Sequence, residues 1–178
     1  ADETVPVPDK PVPRNDLILV ADMAFGYDTD MLNEFDFHMR GGERIRIAGG
    51  NGSGKTTLLK LIIGHLAPIK GRIKLSGKYA YLDQDLALLD RNKSIVDNIM
   101  DYTGLNQNEA FASAANFGFR NKLAQKKVGV VSGGELLKAT LAPVIGTKNQ
   151  PDLLIMDEPT NNIDINSIDI LEVDLNQY

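Results

Sequence analysis

The sequence predicts an α/β fold with a mainly parallel sheet, an antiparallel β portion ahead of it and a helical insert within it. Three observations carry this. Residues 44–66 pass from an alternating stretch, RIRIA, through a glycine-rich turn into TLLKLIIGHL, the order strand, loop, helix. Residues 153–158, LLIMDE, place four apolar residues before two acids, as in a short strand buried on both faces of a parallel sheet. Between these, residues 94–144 turn helix-like, with no obvious strand.

The elements follow in chain order. Residues 1–14 form a linker: TVPVPDKPVP, at 4–13, holds four prolines and favours an extended, semi-rigid chain. A single domain then covers 15–178. Its core is expected from 15–84 and 145–178, and its helical part from 85–144. LILVADMAFGY and EFDFHM read as two strands, the second alternating at Phe35, Phe37 and Met39. The helix after the glycine-rich turn should stop at Gly64 and Pro68. GRIKL and KYAYLDQ are two further short strands. SIVDNIMDYT, NQNEAFASAANFGF and GGELLKATLAPVIG make the helical insert, and Pro143 should kink or end the last of these. After LLIMDE, NSIDILEVDLNQY closes the chain as a helix with Ile168, Leu171 and Leu175 on one face. Arg46, inside RIRIA, needs an edge or a carboxylate for its charge.

Composition excludes several classes. The 178 residues suffice for one domain with a core, at 43% hydrophobic and 24% charged. A net charge of −5 supplies no overall field toward nucleic acid or an anionic membrane. The absence of cysteine removes disulfides, Cys-ligated zinc and thiol nucleophiles. No apolar run approaches the ~20 residues of a membrane span, and the N-terminus lacks the pattern of a signal peptide, which makes the cytoplasm the default.

The chemistry concentrates in three places. Gly49, Gly54, Lys55 and Thr56 fit G-x-x-x-x-G-K-[ST], the Walker A phosphate loop. Its span from Gly49 through Gly50, Asn51, Gly52, Ser53 and Gly54 to Lys55, Thr56 and Thr57 offers backbone N–H groups to phosphate oxygens. Asp157, at the C-terminal end of its strand, falls where ligands bind in open α/β sheets. There it can share a hydrated Mg²⁺ with the Thr56 hydroxyl. Glu158, one residue on, is the candidate to polarise an attacking water. VSGGE, at 131–135, sets a serine and two glycines ahead of a helix, an anion-binding N-terminus. Two phosphate-grade loops in one compact domain serve one nucleotide only if they face each other. Two domains that each lend the second loop to the other's nucleotide is the simpler arrangement.

These residues resemble the ATP-binding cassette (ABC) ATPase domain over 17–178, almost the whole chain. The resemblance implies Walker A at Gly49–Thr57, a Q-loop glutamine at Gln84 with a role at the metal and in catalysis, and a signature at Ser132, Gly133, Gly134 and Glu135. It implies Walker B at LLIMD with Glu158, and a D-loop at NNID ending on Asp164. Tyr27, 22 residues before Gly49, is placed like the aromatic that stacks on adenine. ATP and Mg²⁺ are the implied cofactors, a second ABC domain on the same chain or a second copy is the implied partner, and ATP hydrolysis through Lys55, Gln84 and Glu158 is the implied activity.

The link from Gly71 to Gln84 is only 13 residues, and DEPTNNID stands where transporters carry D-E-P-T-S-x-L-D. Both features resemble the ABC-F group of soluble two-cassette proteins, several of which act on the ribosome. The Pro-rich start resembles the entry to a second domain of such a chain. A clamp driven by ATP, with the ribosome as partner and no direct DNA contact, is therefore expected. The alternative is the ATP-binding subunit of a membrane transporter, and a nucleotide switch that hydrolyses little is a third reading. The family also has a switch histidine beyond the D-loop. His38 and His65 both precede Walker B, so the chain is expected to be C-terminally incomplete and slow in turnover.

Overall fold

The computed structural model describes residues 16–26, 30–43, 45, 47 and 52–157. They form two compact units, one from the chain up to Ala80 with Asp152–Asp157, the other from Tyr81–Pro151. The sequence reading draws these edges at 84/85 and 144/145.

The first unit opens with β1 (Asp16–Gly26), which pairs antiparallel with β2 (Asp30–Arg40) on one side and with β3 (Lys70–Leu75) on the other. In β2, Phe35, Phe37 and Met39 are half-buried while Asp36, His38 and Arg40 are exposed, as the alternation requires. Both ladders shift register in the Val20–Ala24 stretch of β1. Asp22 is the reason. Its φ is 50°, and its amide leaves the ladder to donate to Asp36 Oδ1 at 2.7 Å. Gly71 faces this bulge, and a Cβ there would lie 2.4 Å from the Asp22 carbonyl oxygen.

Helix α1 (Lys55–Ile62) buries Leu58, Leu59, Leu61 and Ile62. It stops where the sequence places the stop. Gly64 takes φ 77°, its amide donates to Leu61 O at 3.1 Å, and the His65 amide donates to Lys60 O at 2.8 Å, a Schellman pair. Strand β4 (Tyr79–Leu82) pairs with β5 (Leu153–Met156). The Lys78 carbonyl accepts from the amides of Asp152 and Leu153, so both strands start at the same end and run in the same direction. The expected strand RIRIA is not seen at Ile45 and Ile47, which lie in no strand, and Arg46 is outside the described residues. β5 also departs from uniform burial: Leu153 and Ile155 are buried, Leu154 and Met156 half-buried. Successive side chains point to opposite faces, so one face of β5 is packed more closely than the other.

The second unit packs α2 (Ile95–Thr103) against α3 (Gln107–Asn116) and α4 (Gly133–Ile145), as an apolar stripe on each helix demands. Ile95, Ile99, Leu137 and Leu141 are almost wholly enclosed. Buried Asn98 ties α2 to the preceding loop: its amide oxygen accepts from Asp90 N at 2.8 Å, and its amide nitrogen donates to Asp90 O at 3.0 Å. Between α3 and α4 the chain makes two 3-10 turns, Asn121–Leu123 and Val128–Val130. Pro143 does not end α4, which runs to Ile145. Pro143 lacks the N–H that would reach the Ala139 carbonyl, so the helix continues past it with one backbone bond fewer. No described helix is long and apolar enough to cross a membrane.

Candidate nucleotide-binding site

The local sequence explains the geometry at the start of α1. Gly52 and Gly54 take φ 78° and 91°, conformations open to glycine and strained for other residues. Gly54 is the N-cap of α1 and supplies no side chain to satisfy the first-turn amides. An N-terminus built this way offers N–H groups and the positive end of the helix dipole to an anion. A Cβ added at Gly52 would meet nothing within 4 Å. Ser53 is exposed, and Lys55, Thr56 and Thr57, on the first turn of α1, are half-buried.

Asp157 follows directly on β5 and is 3% exposed. The Thr56 hydroxyl donates to its Oδ1 at 3.0 Å, joining residues 101 positions apart. This is the pair singled out from sequence, and the fold brings it together. One hydroxyl and one carboxylate form a sparse donor set. Among the described residues no group of three or more acidic or histidine side chains could hold a metal by itself. A sparse set fits Mg²⁺, which keeps several waters and takes its remaining ligands from substrate phosphates. The residues present therefore fit a Mg²⁺–nucleotide.

Tyr27, Gly49, Gly50, Asn51, Glu158 and Asp164 lie outside the described residues. Gln84, exposed in the turn after β4, and the 131–135 segment belong to the second unit. There Ser132 is the exposed N-cap of α4, and its hydroxyl accepts from Glu135 N at 3.2 Å. The Glu135 carboxylate returns to the Ser132 amide at 2.9 Å. This capping box leaves the Ser132 amide holding a carboxylate and the Glu135 amide holding a hydroxyl. The spacing S-x-x-E was the signal for it. Gly133 and Gly134 form the first turn behind the cap.

Sequence reasoning also missed Asp152. Its carboxylate accepts from the Lys78 amide at 2.9 Å while its own amide donates to Lys78 O at 2.7 Å. Gly77, at φ 80°, lies so close that a Cβ would come 2.9 Å from Asp152 Oδ2. This clasp fixes the register of β4 against β5, and so sets where Asp157 emerges. An acid directly before an apolar strand was its only trace in the sequence.

Comparison with known proteins gives the family. The family model for "ABC transporter" matches residues 32–161. A Mycobacterium tuberculosis protein named energy-dependent translational throttle protein EttA is 34% identical over 180 residues, 96% of this chain and 32% of that protein. An Arabidopsis thaliana ABC transporter F family member is 34% identical, across 91% of this chain and 24% of that one. The solved structure of a bacterial Atm1-family ABC exporter with ATP bound superposes with a TM-score of 0.71 at 26% identity, across 94% of this chain and 33% of that one. The chain spans about a quarter to a third of the length of the curated relatives it matches. With its phosphate loop, its Thr56–Asp157 pair and a family model matching most of its length, the chain belongs to the ABC transporter family, as one of its ATP-binding domains.

Proposed function

We propose that this domain binds and hydrolyses ATP with Mg²⁺, and that it works as one half of an ATP-driven clamp in a soluble protein of the ABC-F kind that acts on the ribosome. The observation that carries the nucleotide reading is the hydrogen bond between Thr56 and buried Asp157 at the start of α1. The ribosome reading is supported by the relatives, among them an F-family member and a protein named a translational throttle.

Each residue has a role in this reading. Backbone amides from Gly49 to Thr57 hold the phosphates, and Lys55 sets its ammonium against the β- and γ-phosphates as a point charge. Thr56, Asp157 and Gln84 are the residues that would hold Mg²⁺, which when bound offsets charge on the phosphate oxygens. Glu158 accepts a proton from the attacking water, and Tyr27 stacks on the adenine. Ser132, Gly133, Gly134, Glu135 and Asp164 serve the nucleotide of a second domain, on the same chain or on a second copy. The cytoplasm is the proposed location.

Pelleting of the full-length protein with ribosomes, with and without ATP, tests this. Wild type should co-sediment more with ATP, and Glu158→Gln should accumulate in the pellet because the clamp closes and does not reopen. Equal pelleting with and without ATP in both proteins refutes the clamp on the ribosome. The likeness to an exporter's ATPase keeps a second reading, a transporter subunit. Recovery in a detergent-solubilised membrane complex with no ribosomal association would select it.

A further inference from the structure

The chain carries 24 acidic residues, yet none falls between Glu109 and Glu135. That acid-free interval holds Arg120, Lys122, Lys126 and Lys127, all exposed. A basic run is most often a solvated face, but this one is anchored. Ala124 is 0% and Val128 1% exposed. The amides of Gln125 and Lys126 donate to the carbonyls of Lys122 and Leu123, so Lys122 and Lys126 sit on successive turns. Val128 N donates to Lys93 O at 3.0 Å and Gly129 N to Arg91 O at 2.8 Å, which brings the Arg91 backbone alongside; its exposed guanidinium donates to the Asp85 carbonyl at 3.3 Å. Lys93 is spoken for: its ammonium meets Asp101 at 2.6 Å, and that hydrogen bond, with the nearby charges of Asp101, Asp90 and Asp97, raises its pKa. No ion pair of the described residues involves Lys122, Lys126 or Lys127.

We propose that Lys122, Lys126 and Lys127, with Arg91 beside them, form a docking strip for the phosphate backbone of RNA, on the surface of the second unit. Three cations held by a packed segment lose less freedom on binding than the same charges on a loose tail. Each phosphate neutralised releases counterions, so a local strip binds a polyanion even though the whole chain is negative. A lipid surface fits less well. The strip is built from 3-10 turns and loop, not an amphipathic helix, and its exposed apolar side chains, Leu123 and Val130, stand singly at the ends of the two turns. The choice of RNA rests on the proposed ribosome reading, and the strip adds to it a named contact surface.

The test is fluorescence anisotropy of the chain with a labelled single-stranded oligoribonucleotide over a salt series, beside flotation with phosphatidylserine vesicles. Wild type should bind RNA with log K falling against log salt at a slope near −2, about −0.7 for each of three phosphates. Reversal of Lys122, Lys126 and Lys127 to Glu should weaken binding about tenfold or more and flatten the slope, with ATP affinity unchanged. Should the reversed chain misfold, by circular dichroism, the same three positions changed to Gln give the same readout. No RNA binding by wild type, unaltered binding by the variants, or vesicle binding in place of RNA binding would each overturn the strip. Ribosome pelleting separates the two readings. ATP-dependent pelleting unchanged by the substitutions refutes the strip alone. RNA binding that depends on the lysines, without ribosome association, leaves the strip standing and removes the clamp.

Discussion

Lys55 shows how much a single side chain in a phosphate loop decides. It lies on the first turn of a helix whose N-cap, Gly54, contributes no side chain. Lys55→Ala removes a charge from a half-buried loop and leaves no core cavity. We expect ATP affinity in calorimetry to fall about 100-fold or more, ~2.7 kcal/mol, with the melting temperature unchanged. A variant that binds ATP as wild type does would remove the phosphate-loop assignment. Asp152 behaves in the opposite way, since its carboxylate holds a backbone amide rather than a ligand. Asp152→Ala should destabilise the fold by ~1–2 kcal/mol, a drop of roughly 2–8 °C for a chain this size. Unchanged melting would show that the clasp with Lys78 contributes nothing.

Among the elements, α1 and α4 make the clearest contrast. Both carry glycine at their start, Gly54 as the cap of α1 and Gly133 and Gly134 in the first turn of α4, but α1 starts without a side-chain cap and α4 starts with a reciprocal Ser132–Glu135 box. The first is open to a ligand in its own unit. The second already satisfies an amide with a carboxylate and, as proposed, meets a nucleotide only when a second domain arrives. Ser132→Arg should leave the ATP affinity of the monomer unchanged and abolish ATP-dependent pairing in size-exclusion chromatography. Ser132→Asp keeps a capping oxygen and so controls for the ~1 kcal/mol that loss of an N-cap costs. It should block pairing too, because it adds negative charge where a phosphate must sit. A tenfold loss of monomer ATP affinity in either variant would place the segment in the chain's own site.

On the scale of the whole molecule, nucleotide, metal and stability are linked. A ligand that binds only the folded state stabilises it by about 2.7 kcal/mol at a hundredfold excess over its Kd. If Thr56 and Asp157 hold Mg²⁺ on the nucleotide, ATP with Mg²⁺ should raise the melting temperature more than ATP with EDTA does. The difference should vanish in Asp157→Ala. An equal shift with and without the metal would disconnect the pair from Mg²⁺.

Local chemistry alone determined much of this protein. Glycine spacing marked the phosphate loop, Gly64 ended α1, alternation wrote out β2, and Ser132 announced the start of α4, because each of these signals acts within a few residues. The apolar run before Asp157 was legible as a strand for the same reason. Tertiary structure alone decided what sits beside what. It joined Thr56 to Asp157 across 101 residues and clasped Asp152 to Lys78 across 74. It let Pro143 remain inside α4, and it put β3 on the far side of β1 from β2. Contacts between distant segments depend on register and packing. A linear pattern records which residues want burial or a partner, and the fold chooses the partner.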